Sequence, residues 1–411
     1  MLDNNVIKKV VNNNLCIGCG LCEGIDQNIK MTVDPNGFLV PDISNGFSDN
    51  TLNTITKVCP GINMTTGHKN EQGLWGKTKG CYTGYSNDEN IRHAGSSGGA
   101  ITGILKGLLD NKEVDAVIQV GPNFDKSPFL NEVYLNSTYE EILFCASSRY
   151  SPSSPLSNIN KVLNSNSKFA FVGKPCDITA LRNLAKIDKR INEKILYMLS
   201  FFCAGLPSEK GSDDILTKLK IKKEDVISFR YRGNGWPGKT SAILKNNVKS
   251  EITYNESWGG VLSKCVHTRC KVCVDSIGAS ADLVAADAWY SKGDGYPEFD
   301  EKPGRSLILG RTEIGENLLQ RMNQYGLINL QELNIGDIRQ MQPGQVKKRT
   351  ELLGRLFAFK LNPFQLSPKF CLKNVAYLSK YISTKKTLIA FAGMTKRLMV
   401  KQIKSIIKTV N

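Results

Sequence analysis

The chain is 411 residues long and 41% hydrophobic, with twelve cysteines and a formal net charge of +16. It is long enough for two or three domains with proper cores, and no uninterrupted apolar stretch approaches the ~20 residues of a membrane span. Its opening, Met1-Leu2-Asp3-Asn4-Asn5, is polar with no apolar run behind it, so no secretory leader is expected. The expected setting is a reducing cytoplasm, in which the cysteines read as ligands and thiols rather than disulfides.

Eight cysteines fall into two sets of four. The first lies in residues 1–70, which read as a small ferredoxin-like domain. It is Cys16-Ile17-Gly18-Cys19-Gly20-Leu21-Cys22, completed by Cys59-Pro60. A bacterial ferredoxin half-motif is C-x2-C-x2-C followed shortly by Cys-Pro, and the fourth cysteine of one half ligates the cluster of the other. Here Glu23-Gly24-Ile25-Asp26 stand where the first Cys-Pro belongs, and Phe47-Ser48-Asp49 stand in for the close cysteines upstream of Cys59. Three ligands from one half and one from the other make the complement of a single 4Fe-4S cluster. Four thiolates also suit zinc, although this is not the spacing of a zinc ribbon. Between the halves, Asp34-Pro35-Asn36-Gly37 predicts a tight turn joining two short strands.

Residues 73–190 read as alternating strands and helices. A strand over 81–85 leads to Arg92-His93-Ala94-Gly95-Ser96-Ser97-Gly98-Gly99, a small polar loop opening an apolar helix from Ala100. Such a loop leaves N–H groups free at the positive end of a helix dipole, which suits a phosphate, and Arg92 is placed to pair with it. Alone, such a loop is more often an ordinary tight turn. Buried strands are predicted over 115–120 and 169–172, the second ending in Gly173-Lys174-Pro175-Cys176-Asp177. Loops at the carboxyl ends of such strands are where cofactors bind. Cys176 is therefore either a redox-active or proton-donating thiol or a buried structural one.

A second stretch, 191–339, begins with a strand that ends at Cys203, followed by the basic turn Arg230-Tyr231-Arg232-Gly233. The second cysteine set is Cys265-x4-Cys270-x2-Cys273, with Cys203 as its expected fourth ligand and Cys176 as the rival. His267 lies inside this motif, either near a cofactor as a proton donor or simply packed beside the metal. Cys81, Cys145 and Cys371 are expected to carry no ligand. Residues 340–411 hold fifteen Lys/Arg and one acidic residue, Glu351, for +14, which leaves +2 for the rest. Arg397, Lys401, Lys404 and Lys408 step at helical spacing, as do Met399, Ile403, Ile406 and Val410 on another face. A basic amphipathic helix suits an anionic membrane surface or an acidic partner; a surface helix with solvated lysines is the plain alternative. No nucleic acid is expected, because no binding motif accompanies the charge.

Taken in order, these motifs resemble the coenzyme F-420 hydrogenase/dehydrogenase beta-subunit family, which includes 7-hydroxymethyl chlorophyll a reductase. The resemblance spans roughly residues 10–340 and rests on six features. They are the N-terminal cluster motif, Arg92 with Ser96-Ser97-Gly98-Gly99, Ser148-Arg149-Tyr150, Gly173-Lys174-Pro175-Cys176, Cys203-Ala204-Gly205, and Cys270-x2-Cys273 followed by Ala281-Asp282 and Asp287-Ala288-Trp289. It implies an α/β (α+β) fold: the ferredoxin-like domain, then a flavin- and Fe–S-binding domain, then the basic helical tail. It also implies FAD and one or two 4Fe-4S clusters, and the two cysteine sets make two the expectation. The FAD diphosphate falls to Arg92, Ser96, Ser97, Gly98 and Gly99, with Gly173 and Lys174 as further cofactor contacts. Arg149, Arg230 or Arg232 is expected to anchor an anionic group, and His267 or Cys176 to supply a proton. Ferredoxin or an electron-donating subunit and a small organic substrate are the expected partners. Many relatives resemble bacterial proteins of surface-polysaccharide gene sets. Where the family has Gly-Asp-x-Trp, this chain has Ala286-Asp287-Ala288-Trp289, which questions any close backbone approach at position 286.

Overall fold

The computed structural model describes residues 6–64, 73–291 and 297–410. The N-terminal part is built from helix Val6–Asn12, helix Leu21–Ile25, a hairpin of β1 (Lys30–Val33) and β2 (Leu39–Asp42), and helix Asp49–Val58. The predicted turn is present. The Asp34 carboxylate accepts from the amides of Asn36 and Phe38, and Gly37 takes φ +79°. Ser48 caps the Asp49–Val58 helix by accepting from the Thr51 amide.

The body is an eight-stranded mixed sheet. Besides the β1–β2 hairpin, the strands outside it are β8 (Val226–Arg230), β9 (Thr240–Leu244) and β10 (Lys249–Ile252), which form a separate antiparallel sheet. The large sheet contains β3 (Gly80–Ser86), β4 (Ala116–Asn123), β5 (Ser127–Asn136), β6 (Phe169–Val172), β7 (Ile195–Phe201), β11 (Leu283–Asp287), β12 (Ser306–Gly310) and β13 (Ile328–Glu332). Their order is β13-β3-β12-β11-β7-β6-β4-β5. The central four, β4, β6, β7 and β11, run parallel, and the outer pairings are antiparallel.

The central strands are apolar along most of their length because both faces are covered. Val117, Ala170, Leu199 and Leu283 face helix Ala100–Asp110, through Ile104, Leu105 and Leu108. Their neighbours Ile118, Phe171, Met198 and Val284 face helix Pro175–Leu184, through Ile178, Ala180 and Leu181. Strands from the spans 73–190 and 191–339 interleave in this one sheet, so these spans are not separate layers.

The C-terminal segment is not a free tail. Helix Leu352–Leu361 packs against the long helix Thr384–Val410, and Leu352, Leu356, Phe359, Met394 and Leu398 share one core with Val10, Leu15, Trp75 and Leu307. The Lys369 amide donates to the Ile62 carbonyl, and Gln365 donates to Asn13. The side chains of Lys401, Lys404, Ile406, Lys408 and Val410 lie outside the described residues.

Candidate redox site

Cys16, Cys19, Cys22 and Cys59 line one small cavity whose other walls are apolar, among them Ile7, Val10, Ile17 and Ile55. Backbone N–H groups of Gly18, Leu21 and Gly61 point at the sulfurs of Cys16, Cys19 and Cys59. The turn that aims them needs Gly18 at φ +68° and Gly20 at φ +80°, conformations that cost little only for glycine. Burial pushes the Cys16 thiol up to about 12 and raises Cys19, Cys22 and Cys59 as well. The thiols also feel one another's charge. Among the described residues, no three His, Cys, Asp or Glu side chains form a group able to hold a metal ion; these four thiols surround a space instead.

In the second set, burial pushes the Cys203 thiol up to about 12, with further electrostatic contributions from Cys270 and Cys273. Burial also raises the Cys176 thiol, which feels Cys203 and Cys273 in turn. Cys176 lies in the first turn of helix Pro175–Leu184 after β6, Cys203 in the loop following β7, Cys270 in helix Thr268–Lys271 and Cys273 just beyond it. The Leu206 amide donates to Cys270 Sγ at 3.4 Å, and Lys348 donates to the Cys203 carbonyl at 2.9 Å. Cys265 stands apart from this group. Its thiol lies 3.4 Å from the Asp214 carboxylate and 3.8 Å from the Val261 carbonyl. Cys176, not Cys265, therefore shares its electrostatic surroundings with Cys203 and Cys273.

A cavity of about 300 Å³ opens at the carboxyl ends of β6, β7 and β11, where an α/β sheet places its ligands. The volume is at the lower end of the range for small-molecule sites. Its lining includes Ser96, Ser97, Gly99, Arg149, Gly173, Lys174, Cys203, Arg232, Asp287 and Trp289. Three buried oxygens in this lining, Ser151 Oγ, Asp177 Oδ1 and Gln345 Oε1, have no hydrogen-bond partner. A buried polar atom without a partner costs about 1–3 kcal/mol, so these atoms suit a polar ligand. One wall is aromatic: Trp289 stacks on Trp236 with ring centroids 4.9 Å apart, and Tyr254 lies against Trp289.

The polar residues around the cavity are engaged in ways their spacing does not reveal. Lys174 Nζ sits 2.9 Å from Asp177 Oδ2 and donates to Ser153 Oγ at 3.3 Å. Burial opposes the Lys174 charge, but Asp177 outweighs it and holds the ammonium protonated. Arg232 makes a two-pronged pair with Asp287 at 2.6 and 2.8 Å and donates to the Pro237 carbonyl. Asp287 also accepts from the Trp236 indole. Ala286 presents its carbonyl to Ser97 Oγ at 3.2 Å.

Several expected site residues are placed differently. The Gly98 amide is not free for a phosphate: it donates to Ser306 Oγ at 2.9 Å, and Gly98 does not line the cavity. Arg92 donates to the Gly304 carbonyl and stacks 3.7 Å over the Tyr85 ring, outside the cavity lining. Arg149 donates to Asn131 and to the carbonyls of Phe229, Pro128 and Leu130. Arg230 donates to the carbonyls of Ala94 and Ala146. Both arginines fasten loops instead of presenting a free anion anchor. His267 is 5% exposed, accepts from the Arg269 amide as a helix cap and packs edge-on against Phe38. It does not line the cavity, so the proton-donor role expected there does not fit its placement. Gln342 and Gln345 do line the cavity. They sit in a segment whose charge masks any site signal. The Lys174–Asp177 pair is visible in the sequence only as an i, i+3 spacing.

Comparison with known proteins places this arrangement in a family. The description "Coenzyme F420 hydrogenase/dehydrogenase, beta subunit N-term" matches residues 81–161, and its C-terminus counterpart matches 166–335. The chain belongs to this family. It is 28% identical over 364 residues to a coenzyme F420-dependent sulfite reductase of Methanocaldococcus jannaschii, covering 84% of this chain and 52% of that protein. The chain thus spans about half the length of that relative. It is 24% identical to one subunit of the F(420)H(2) dehydrogenase of Methanosarcina mazei, covering 75% of this chain and 83% of the relative. A chain of the F420-reducing NiFe hydrogenase complex from Methanosarcina barkeri shares the fold, with a TM-score of 0.56 at 19% identity, covering 73% of this chain and 99% of that one. The matched family spans leave out residues before 81 and after 335, including the first cysteine set and the basic segment.

Proposed function

We propose that the chain is an iron–sulfur flavoprotein oxidoreductase. It exchanges single electrons with ferredoxin or a partner subunit, and two electrons with a small organic molecule. The observation that supports this best is contiguity. Cys203 of the second thiol group lines the cavity. Cys176 belongs to that group, and its neighbour Asp177 is near enough to Cys19 of the first set to raise that thiol further, after burial. Arg269, between Cys265 and Cys270 in the chain, donates to the carbonyl of Pro60 beside Cys59. The cavity, the second thiol group and the first thiol group are therefore neighbours in the fold, as a relay between them requires.

Cys16, Cys19, Cys22 and Cys59 would hold one 4Fe-4S cluster; Cys176, Cys203, Cys270 and Cys273 would hold the other. One end of FAD would enter the cavity against Ser96, Ser97, Lys174 and Gln345. Clusters pass one electron at a time and a flavin accepts one or two, so together these groups interconvert single-electron and hydride-type chemistry. The protein's own part is positional. Lys174 keeps a proton at Nζ on the cavity wall, with Asp177 fixing its place. Asp287 neutralises Arg232 and orients it beside Trp289, and the aromatic wall excludes water. The relatives' names make a deazaflavin the proposed two-electron partner.

Anaerobic purification with iron, sulfide and flavin counted per chain tests the reading. About eight irons and one FAD are expected. Zinc, or iron without flavin, rejects it. Turnover by the isolated chain with an artificial donor distinguishes an enzyme from a purely electron-carrying subunit, which is the role suggested by relatives named as subunits.

A further inference from the structure

Among its described side chains, helix Thr384–Val410 has two apolar faces, and only one is covered. At about 100° per residue, Ala390, Met394 and Leu398 fall on the face toward helix Leu352–Leu361, and all three are buried. The contact is close: a Cβ on Gly354 would lie 2.3 Å from the Thr387 carbonyl oxygen. Leu388, Ile389, Met399, Val400 and Ile403 fall in a sector of roughly 120° on the opposite side. They are 45–63% exposed. Five large apolar side chains in one stripe are not the face of an ordinary solvated helix. Lys385 and Lys396 lie in the same sector, Lys386 and Arg397 beside it, and all four are exposed. At the far end, Gln402 donates to Asn362 at 3.0 Å. This ties Asn362, in a segment that also exposes Leu361 (68%) and Phe364 (81%), to that end of the helix.

We propose that this face docks the protein on an anionic lipid bilayer, with the helix lying in the plane of the headgroups. Charge complementarity selects the occupant. Residues 340–411 carry +14 while the other 339 carry +2, so the positive potential is concentrated on the segment that bears the stripe. The lysine stems run along the apolar surface and lift their ammonium groups to headgroup level. Apolar burial and attraction to anionic lipid are the two signals that together hold a peripheral helix. No helix among the described residues is long and apolar enough to cross a membrane, so the mode is surface docking. A protein partner would need a groove matched to the stripe, whereas an acyl boundary accommodates it without one.

Co-sedimentation of the full chain with vesicles tests this, using phosphatidylcholine alone and phosphatidylcholine with phosphatidylglycerol. Binding is expected only with the anionic vesicles, and should weaken as salt shortens the screening length from about 8 Å at physiological strength to about 3 Å at 1 M. An Ile389→Glu/Val400→Glu variant should bind about tenfold more weakly or worse, since it removes part of the apolar contact and adds like charge to the lipid. Both positions are exposed, so its melting curve should match that of the parent. Absence of binding to anionic vesicles, or equal binding by the variant, overturns the proposal. So does a solution dimer that the variant splits, or an acidic protein bound by this face without lipid. Iron and flavin content do not enter this readout, so the redox reading is tested separately.

Discussion

Two cysteines compete for one place in the second thiol group, and their surroundings separate them. Cys176 is buried and feels the charges of Cys203 and Cys273. Cys265 faces a carboxylate, Asp214, at 3.4 Å, where a thiolate would be repelled. Cys176→Ser should therefore lose about four irons per chain, while Cys265→Ser should keep the full complement. Iron analysis with spectroscopy of each reduced cluster reads this directly; the reverse pattern would return Cys265 to the ligand set. In the sequence, Cys265 looks the better ligand because it is close along the chain to Cys270 and Cys273. Cys176 is brought in by the crossover from β6, which no local spacing records.

At the scale of elements, glycines set how closely pieces approach. Helix Leu21–Ile25, which carries Cys22, lies so near the body that a Cβ on Gly24 would sit 2.2 Å from the Leu156 carbonyl oxygen and 2.6 Å from Ile159. Two effects oppose each other in Gly24→Ala. Alanine is favoured over glycine inside a helix by about 1 kcal/mol, while overpacking typically costs about 1–3 kcal/mol. The nearest atom belongs to the backbone and cannot rotate away, so the clash should win. A lower denaturant midpoint is expected, and an unchanged or higher one would show that the docking contact yields. The same logic explains the Ser96–Gly99 loop. Its glycines were legible as a phosphate cradle, yet Ser306 takes the Gly98 amide and Ser97 is bonded to β11 and β12, so much of the loop secures the sheet.

For the whole molecule, the C-terminal segment changes meaning. Its charge suggests a detachable tail from residue 340 onward. Instead Leu352, Leu356, Phe359, Met394 and Leu398 enter a core with Val10, Leu15 and Trp75, while Gln342 and Gln345 close the cavity. Each such side chain contributes about 1.5–3 kcal/mol on burial. Together the five rival the roughly 5–15 kcal/mol by which a protein is stable at all. Truncation after residue 339 should therefore abolish cooperative thermal unfolding instead of yielding a soluble enzyme without its docking helix. A truncated chain with an unchanged melting temperature would refute this packing.

By itself, the sequence determined the features that depend on neighbours along the chain. These are the Cys16–Cys19–Cys22 loop with its two left-handed glycines, the Asp34–Gly37 turn, the apolar strands and the amphipathic C-terminal helix. Each is settled by spacing and local backbone preference. The tertiary structure alone decided which distant groups meet: Cys176 with Cys203, Arg232 with Asp287, Gln345 with the cavity, and one apolar face of the last helix with helix Leu352–Leu361. Buried charges and thiols take the partners that desolvation obliges them to find, and those partners lie wherever the sheet order brings them.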